Sequence, residues 1–223
     1  MKNKIDIKYE IDFNNSKNNY KKVVPTVNQE LINSFPFKIQ QNYNIKYECL
    51  NNYNKFALNL LQTKYKESKG LCGMLSTLLF ETSALIYKED FIFLTVGKIL
   101  YQDKNIFNIP NKNNVLNKII KDQNTYKKSL LGGNLHVWIT LGNGIIIDPS
   151  ILLTLHNENK VLIGLASELY TTYTYEPYLV ADMKDISKIN NQNNINIDEL
   201  CKYCIQDNFN KMDVIPKSIN GYY

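Results

Sequence analysis

Residues Leu135–Pro149 read LHVWITLGNGIIIDP, and the centre of that stretch is a turn. Gly142-Asn143-Gly144 joins residues that readily take positive φ and lies between two apolar runs. This is the signature of a β-hairpin. LHVWITL (135–141) reads as one strand, IIID (145–148) as its antiparallel partner, and Pro149 stops the pairing. Side chains alternate along a strand, so His136 and Trp138, two apart, share a face. Asp148 returns to the open end of the hairpin, close to His136. An acid in that position hydrogen-bonds one imidazole nitrogen and fixes the tautomer of the ring.

Upstream, residues 71–88 read LCGMLSTLLFETSALIYK. Leu75, Leu78, Leu79, Leu85 and Ile86 recur at helical spacing. Gly70 and Gly73 flank Cys72 at the first turn of this helix. A thiol there feels the positive end of the helix dipole, which favours its thiolate. Between helix and hairpin, FIFLTV (91–96) is a compact strand closed by Gly97. A weak helical pattern runs through Val115, Ile119 and Ile120 in the polar region 102–128. Residues 54–66 form a short helix through Phe56, Leu58, Leu60 and Leu61. Val161–Ala166 and Tyr170–Tyr175 are further strands. YTTYTYEPY (170–178) alternates aromatics and hydroxyls, as a half-exposed strand does, and suits either packing or the lining of a cleft. Residues 198–209 read as a final helix and 190–196 as a low-complexity loop.

A helix followed by mostly antiparallel strands implies an α+β fold. The first fifty residues are polar, poorly periodic and punctuated by Pro25 and Pro36. They are expected to be short strands or coil. The chain is thus divided into an N-terminal extension, 1–50, that wraps the core, and one domain over 51–223.

The helix carrying Cys72 packs on the sheet carrying His136 and Asp148 in this reading. Nucleophile, base and orienting acid then meet in the Cys-His-Asp arrangement for acyl transfer. Singly, each residue has an ordinary explanation. A cysteine in an apolar helix is commonly a small buried hydrophobe, a histidine beside Val and Trp a satisfied core residue, and an Asp before Pro a turn former. The three together, in this order and these contexts, favour catalysis. The Cys72 backbone amide is the natural oxyanion donor. A second donor is not assigned; Gln62 and Tyr65 have no better claim than others. Trp138, on the His136 face, is the candidate substrate contact. No metal or organic cofactor is required.

With those residues in place, the chain resembles the papain-like transglutaminase core: Cys72 at the head of a helix, a strand ending in Val96-Gly97, then His136-Val137-Trp138 and Ile147-Asp148-Pro149. The same order occurs in arylamine N-acetyltransferases and in bacterial transglutaminase-like thiol peptidases. The resemblance covers roughly residues 54–182 and implies a Cys-headed helix packed on an antiparallel sheet. It makes 51–223 a transglutaminase-like catalytic domain. The hairpin also resembles that of cell-wall amidases of the NlpC type, but Trp138 stands where those proteins tend to carry small residues. Asp148 likewise replaces their usual third polar residue.

The expected activity is cysteine-dependent acyl transfer on an amide, with Cys72 forming a thioester and water as acceptor: a peptidase, amidase or deamidase. The substrate is a protein, a peptide or a small amide. A transglutaminase or acyltransferase using the same residues is the first alternative, although no phosphate cradle for an acyl-CoA is evident. A non-catalytic binding or effector protein that keeps the fold is the second. Cys201 and Cys204 form one C-x-x-C, too few ligands for a tetrahedral zinc site. Cys49 and His156 show no context that recruits them.

Composition removes other classes. Of 223 residues, 44% are hydrophobic, which excludes a wholly disordered chain. No apolar run approaches the roughly 20 residues of a membrane span. The 26 basic residues are all Lys and face 21 acidic ones, a net charge of +5. A nucleic-acid reader without Arg lacks the rigid fork that grips phosphates and guanine edges, so no nucleic-acid partner is expected. The opening MKNKIDIKYE has no apolar core of a secretory signal, so a cytoplasmic site is expected, with signal-independent secretion left open.

Overall fold

The computed structural model describes residues 3–23, 37, 39, 47–65, 71–86, 92–121 and 135–181. The architecture is α+β. Helices α1 (Lys4–Val23), α2 (Tyr47–Tyr65) and α3 (Leu71–Ile86) precede strand β1 (Ile92–Tyr101) and helix α4 (Lys112–Lys121). Strands β2 (His136–Leu141) and β3 (Ile146–Asp148), helix α5 (Ile151–His156), strand β4 (Leu162–Gly164), helix α6 (Ala166–Leu169) and strand β5 (Tyr173–Ala181) follow. The strands form one sheet in the order β4-β3-β2-β1-β5, antiparallel throughout.

The hairpin forms as its turn residues require. Gly144 has φ +91° and donates to the Leu141 carbonyl at 2.8 Å, while Leu141 N–H reaches Ile145 O at 2.9 Å. A Cβ on Gly144 would stand 2.4 Å from Ile39 Cγ1, so glycine is needed for its conformation and for its lack of a side chain. Ile139 pairs with Ile147 and Thr140 with Ile146. Every residue of β2 is buried, on both faces of the sheet.

α3 is apolar enough to be read as a buried helix. Leu75, Leu78 and Leu79 are wholly buried, each burial contributing about 1.5–3 kcal/mol. Ser76 donates its hydroxyl to the Val137 carbonyl at 2.9 Å and ties the helix to β2. β1 differs from its expected extent: it continues through Gly97 to Tyr101, with a bulge between Val96 and Gly97 in the pairing to β5. A Cβ at Gly97 would stand 2.1 Å from Glu176 O and 2.8 Å from Trp138 Cη2. The glycine therefore serves a close crossing rather than a strand end.

The larger correction is at the N-terminus. Residues 4–23 are a helix, not short strands or coil. Its inward stripe is Asp6, Tyr9, Phe13, Ser16 and Lys17, all buried, with Asn19 beside them. The spacing is helical, but much of the stripe is polar, so hydrophobic periodicity is a poor guide to it. Polar docking takes over: Asp6 accepts from Ser167 N (2.9 Å) and Oγ (2.8 Å), and Asn19 Nδ2 donates to Tyr178 O at 3.1 Å. Tyr9, Phe13, Phe37 and Ile39 all enter the core, with Phe13 and Phe37 stacked at 4.2 Å.

α2 begins earlier than the short helix expected at 54–66, and α4 buries Val115, Leu116 and Ile119 but leaves Ile120 exposed. The Val161–Ala166 run is split into β4 and the start of α6, and β5 begins at Tyr173 rather than Tyr170. The expected C-terminal helix, the 190–196 loop, Cys201 and Cys204 lie outside the described residues. No helix among those described is long and apolar enough to cross a membrane.

Candidate active site

β2 and β3 carry His136 and Asp148 to one end of the sheet. His136 Nε2 lies 2.6 Å from Asp148 Oδ2, with His136 3% exposed and Asp148 fully buried. Asp148 is held at every turn. Oδ1 accepts from Ser150 N (3.0 Å), Ser150 Oγ (3.3 Å) and Ile151 N (3.1 Å), where α5 begins. Oδ2 accepts from His136 and from the Tyr175 hydroxyl at 2.8 Å. A carboxyl surrounded by donors is an ionised carboxylate. The turn-forming role of an Asp before Pro and the His-orienting role are thus both present, one on each oxygen. Asn54 of α2 donates to Pro149 O at 2.9 Å and braces the next residue of the chain.

Cys72, the second residue of α3, is partly buried and a free thiol. Its side chain lies near the His136 ring and helps to raise the imidazole. Nε2 is engaged by a carboxylate that can only accept, so it carries a proton. The backbone N–H of Cys72 is among the first four of α3, which have no acceptor within the helix. His136 and Asp148, from two strands, are thus bonded to each other, with Cys72 of α3 near the imidazole.

Electrostatics here favour a charged pair. Burial pushes the His136 imidazole down, but the Asp148 charge, the bond to Asp148 and the Cys72 side chain outweigh it and raise it to about 10. Asp148 is pushed up by burial and brought below its ordinary value of 3.8 by His136, the Ser150 amide and Tyr175. Tyr175 moves up, through burial first and then the adjacent Asp148 charge. A pair this buried is costly to desolvate and is stabilised by the remaining hydrogen bonds, without which it would be unfavourable.

The ring is also fixed by aromatic neighbours. Phe107, in the connection between β1 and α4, stacks on His136 at 5.6 Å with planes 6° apart. Trp138 stacks at 6.1 Å, and Tyr175 meets Trp138 edge-on at 5.1 Å. Trp138, expected as a substrate contact, is fully buried, and its Nε1–H goes to Tyr9 OH at 3.0 Å. Its surface is taken up by the sheet, the imidazole and Tyr175. The Tyr9 hydroxyl continues to Thr140 Oγ1 (2.9 Å), which meets Thr95 Oγ1 (2.8 Å), a buried polar chain linking α1 to β1 and β2.

Tyr175, Tyr9, Phe107, Ser150 and Asn54 are not legible as site residues from their local sequence. Tyr175 carried the best signal, lying on the buried parity of a strand with alternating exposure. His156 lies apart from these residues, with Nε2 2.9 Å from Tyr173 OH and its ring against Tyr101. Among the described residues no group of three or more His, Cys, Asp or Glu gathers as a metal site requires. Comparison of the chain with protein-family models, with curated proteins and with solved structures finds no match in any of the three.

Proposed function

We propose that this protein is a cysteine-dependent acyl-transfer enzyme acting on an amide, with a papain-like, transglutaminase-like core and water as its acceptor. The observation that carries the reading is the buried His136–Asp148 bond, with the Cys72 side chain near enough to act on the imidazole. The substrate is a peptide, a protein side chain or a small amide.

The Cys72 thiolate, held as an ion pair by the protonated His136, attacks the amide carbonyl carbon. The carbonyl π pair moves to oxygen, where the Cys72 backbone N–H donates to the oxyanion. Collapse of the tetrahedral adduct breaks the C–N bond, and His136 gives its Nδ1 proton to the leaving amine. Water then attacks the thioester, losing a proton to His136, and the acid leaves as the thiol is restored. Two of the influences that raise His136 come from Cys72 itself. Formation of the C–S bond in the tetrahedral adduct removes them, so the ring is a stronger acid and a weaker ion-pair partner once the amine must depart. Asp148 keeps Nε2 protonated throughout.

Iodoacetamide alkylation of Cys72 against pH, read by peptide mass, tests this reading with His136→Ala as control. Rapid labelling that persists at about pH 6, where a free thiol is almost wholly protonated, and is lost in the control is the expected result. Labelling that follows an ordinary thiol titration in both proteins makes Cys72 a core residue and the protein a binding module. A lysine or arylamine as acceptor is distinguished afterwards by product mass in the presence of each amine.

A further inference from the structure

β1 lies between β5 and β2, and its residue opposite His136 is Gly97. Glycine leaves that face of β1 bare. Tyr175 pairs with Ile99 and Gly97 pairs with His136, so the register puts Tyr175 on the same face as His136. Trp138 lies over Gly97 and presents its ring to the edge of Tyr175. The Tyr175 hydroxyl thereby reaches Asp148 Oδ2 at 2.8 Å, the oxygen that also holds His136 Nε2 at 2.6 Å. Oδ1 has separate partners at the start of α5, so the two donors on Oδ2 share one oxygen by construction.

We propose that Tyr175 is a positioning residue of this site: its hydroxyl fixes the rotation of the Asp148 carboxylate and shares the charge of Oδ2, and so limits how tightly His136 holds its proton. This rests on the enzymatic reading above. A carboxylate oxygen bonded to one donor is a stronger acceptor than one divided between two. Without Tyr175, Oδ2 serves His136 alone, and the imidazolium persists to higher pH. An imidazolium held too firmly is a poor acid toward a leaving amine. The groups that set the balance are few. Cys72 of α3 and Asp148 of β3 face His136, while Tyr9 of α1 and Tyr173 of β5 act with Asp148 on Tyr175. Phe107 adds no charge.

The chain has only two histidines, so His136 is readily followed by nitrogen NMR of the full-length protein. In Tyr175→Phe, which keeps the ring against Trp138, the His136 titration midpoint rises by about one pH unit. Ser150→Ala, which removes a donor from Oδ1 only, moves it less. An unchanged or lowered midpoint in folded Tyr175→Phe overturns the proposal. Should that variant not fold, the Tyr175 hydroxyl proton of the unaltered protein decides. Slow exchange with solvent and a cross-peak to the His136 ring are expected, and a freely exchanging hydroxyl overturns it. Cys72 alkylation in the unaltered protein is read separately. An ordinary thiol there refutes the enzymatic reading, and with it any part for Tyr175 in a reaction, whatever Tyr175→Phe does to His136.

Discussion

The two histidines occupy opposite kinds of environment. His136 is buried among Asp148, Cys72, Phe107 and Trp138, and its bonded partner is a fully buried carboxylate. His156 ends α5 in a partly buried setting, bonded to the neutral Tyr173 hydroxyl and edge-on to Tyr101. Both rings are hydrogen-bonded and packed, so neither packing nor bonding alone marks a reactive site. The difference is charge at low dielectric: His136 faces a buried carboxylate that raises its proton affinity, whereas His156 faces a neutral hydroxyl.

Breaking the charged side of this contrast has the largest effect. Asp148→Ala leaves His136 buried without its counter-charge and strips the start of α5 of its acceptor, and costs about 3–5 kcal/mol in denaturant unfolding. The same variant tests the pH dependence. His136 is raised from 6.5 to about 10, so its contribution to stability is complete below pH 6.5 and fades as pH rises through about 10. Asp148 is lowered from 3.8, so its contribution is present above pH 3.8 and fades as pH falls through its lower folded value. The unaltered protein should therefore lose stability between pH 6.5 and about 10 by a slope that Asp148→Ala abolishes. An identical alkaline slope in both proteins would show that His136 is not charged in the folded state.

Gly97→Ala attacks the crossing that lets Trp138 and β5 close over the same site. Its Cβ meets backbone at 2.1 Å, so a loss of about 3 kcal/mol is expected, measured as a lowered unfolding midpoint. Tyr9→Phe is milder. It leaves Trp138 Nε1 buried without its acceptor, which costs about 2 kcal/mol. Because the ring that stacks on His136 is loosened, Cys72 alkylation should slow in the same variant. His156→Asn closes the series: it removes one neutral, part-buried hydrogen bond, costs about 1 kcal/mol or less, and leaves Cys72 alkylation unchanged. A large effect of His156→Asn on alkylation would dissolve the contrast between the two histidines.

Much of the fold was legible because its signals are local. The positive-φ turn at 142–144, the strand parity of His136 and Trp138, and the apolar spacing of Leu75, Leu78 and Leu79 each sit within a few residues of one another. α1 was not legible, because Asp6, Tyr9 and Asn19 on its inward side are held by hydrogen bonds to residues far along the chain. Gly97 misled for a related reason. In sequence it looks like a strand end, and its purpose is visible only when Glu176 and Trp138 arrive beside it. The burial of Trp138 was hidden in the same way, since sharing a face with His136 says nothing about which side of that face meets solvent.

From the sequence alone came the α+β class, the hairpin, the Cys-headed helix and the nearness of His136 to Asp148, because turn chemistry and side-chain alternation act over a few residues. Tertiary structure alone decided that Cys72 comes near the imidazole, that Tyr175 shares the Asp148 oxygen, and that Phe107 and Trp138 enclose the ring. Those contacts join α3, β2, β3, β5 and the segment after β1. They depend on sheet order and register, which long-range packing sets and no local pattern encodes.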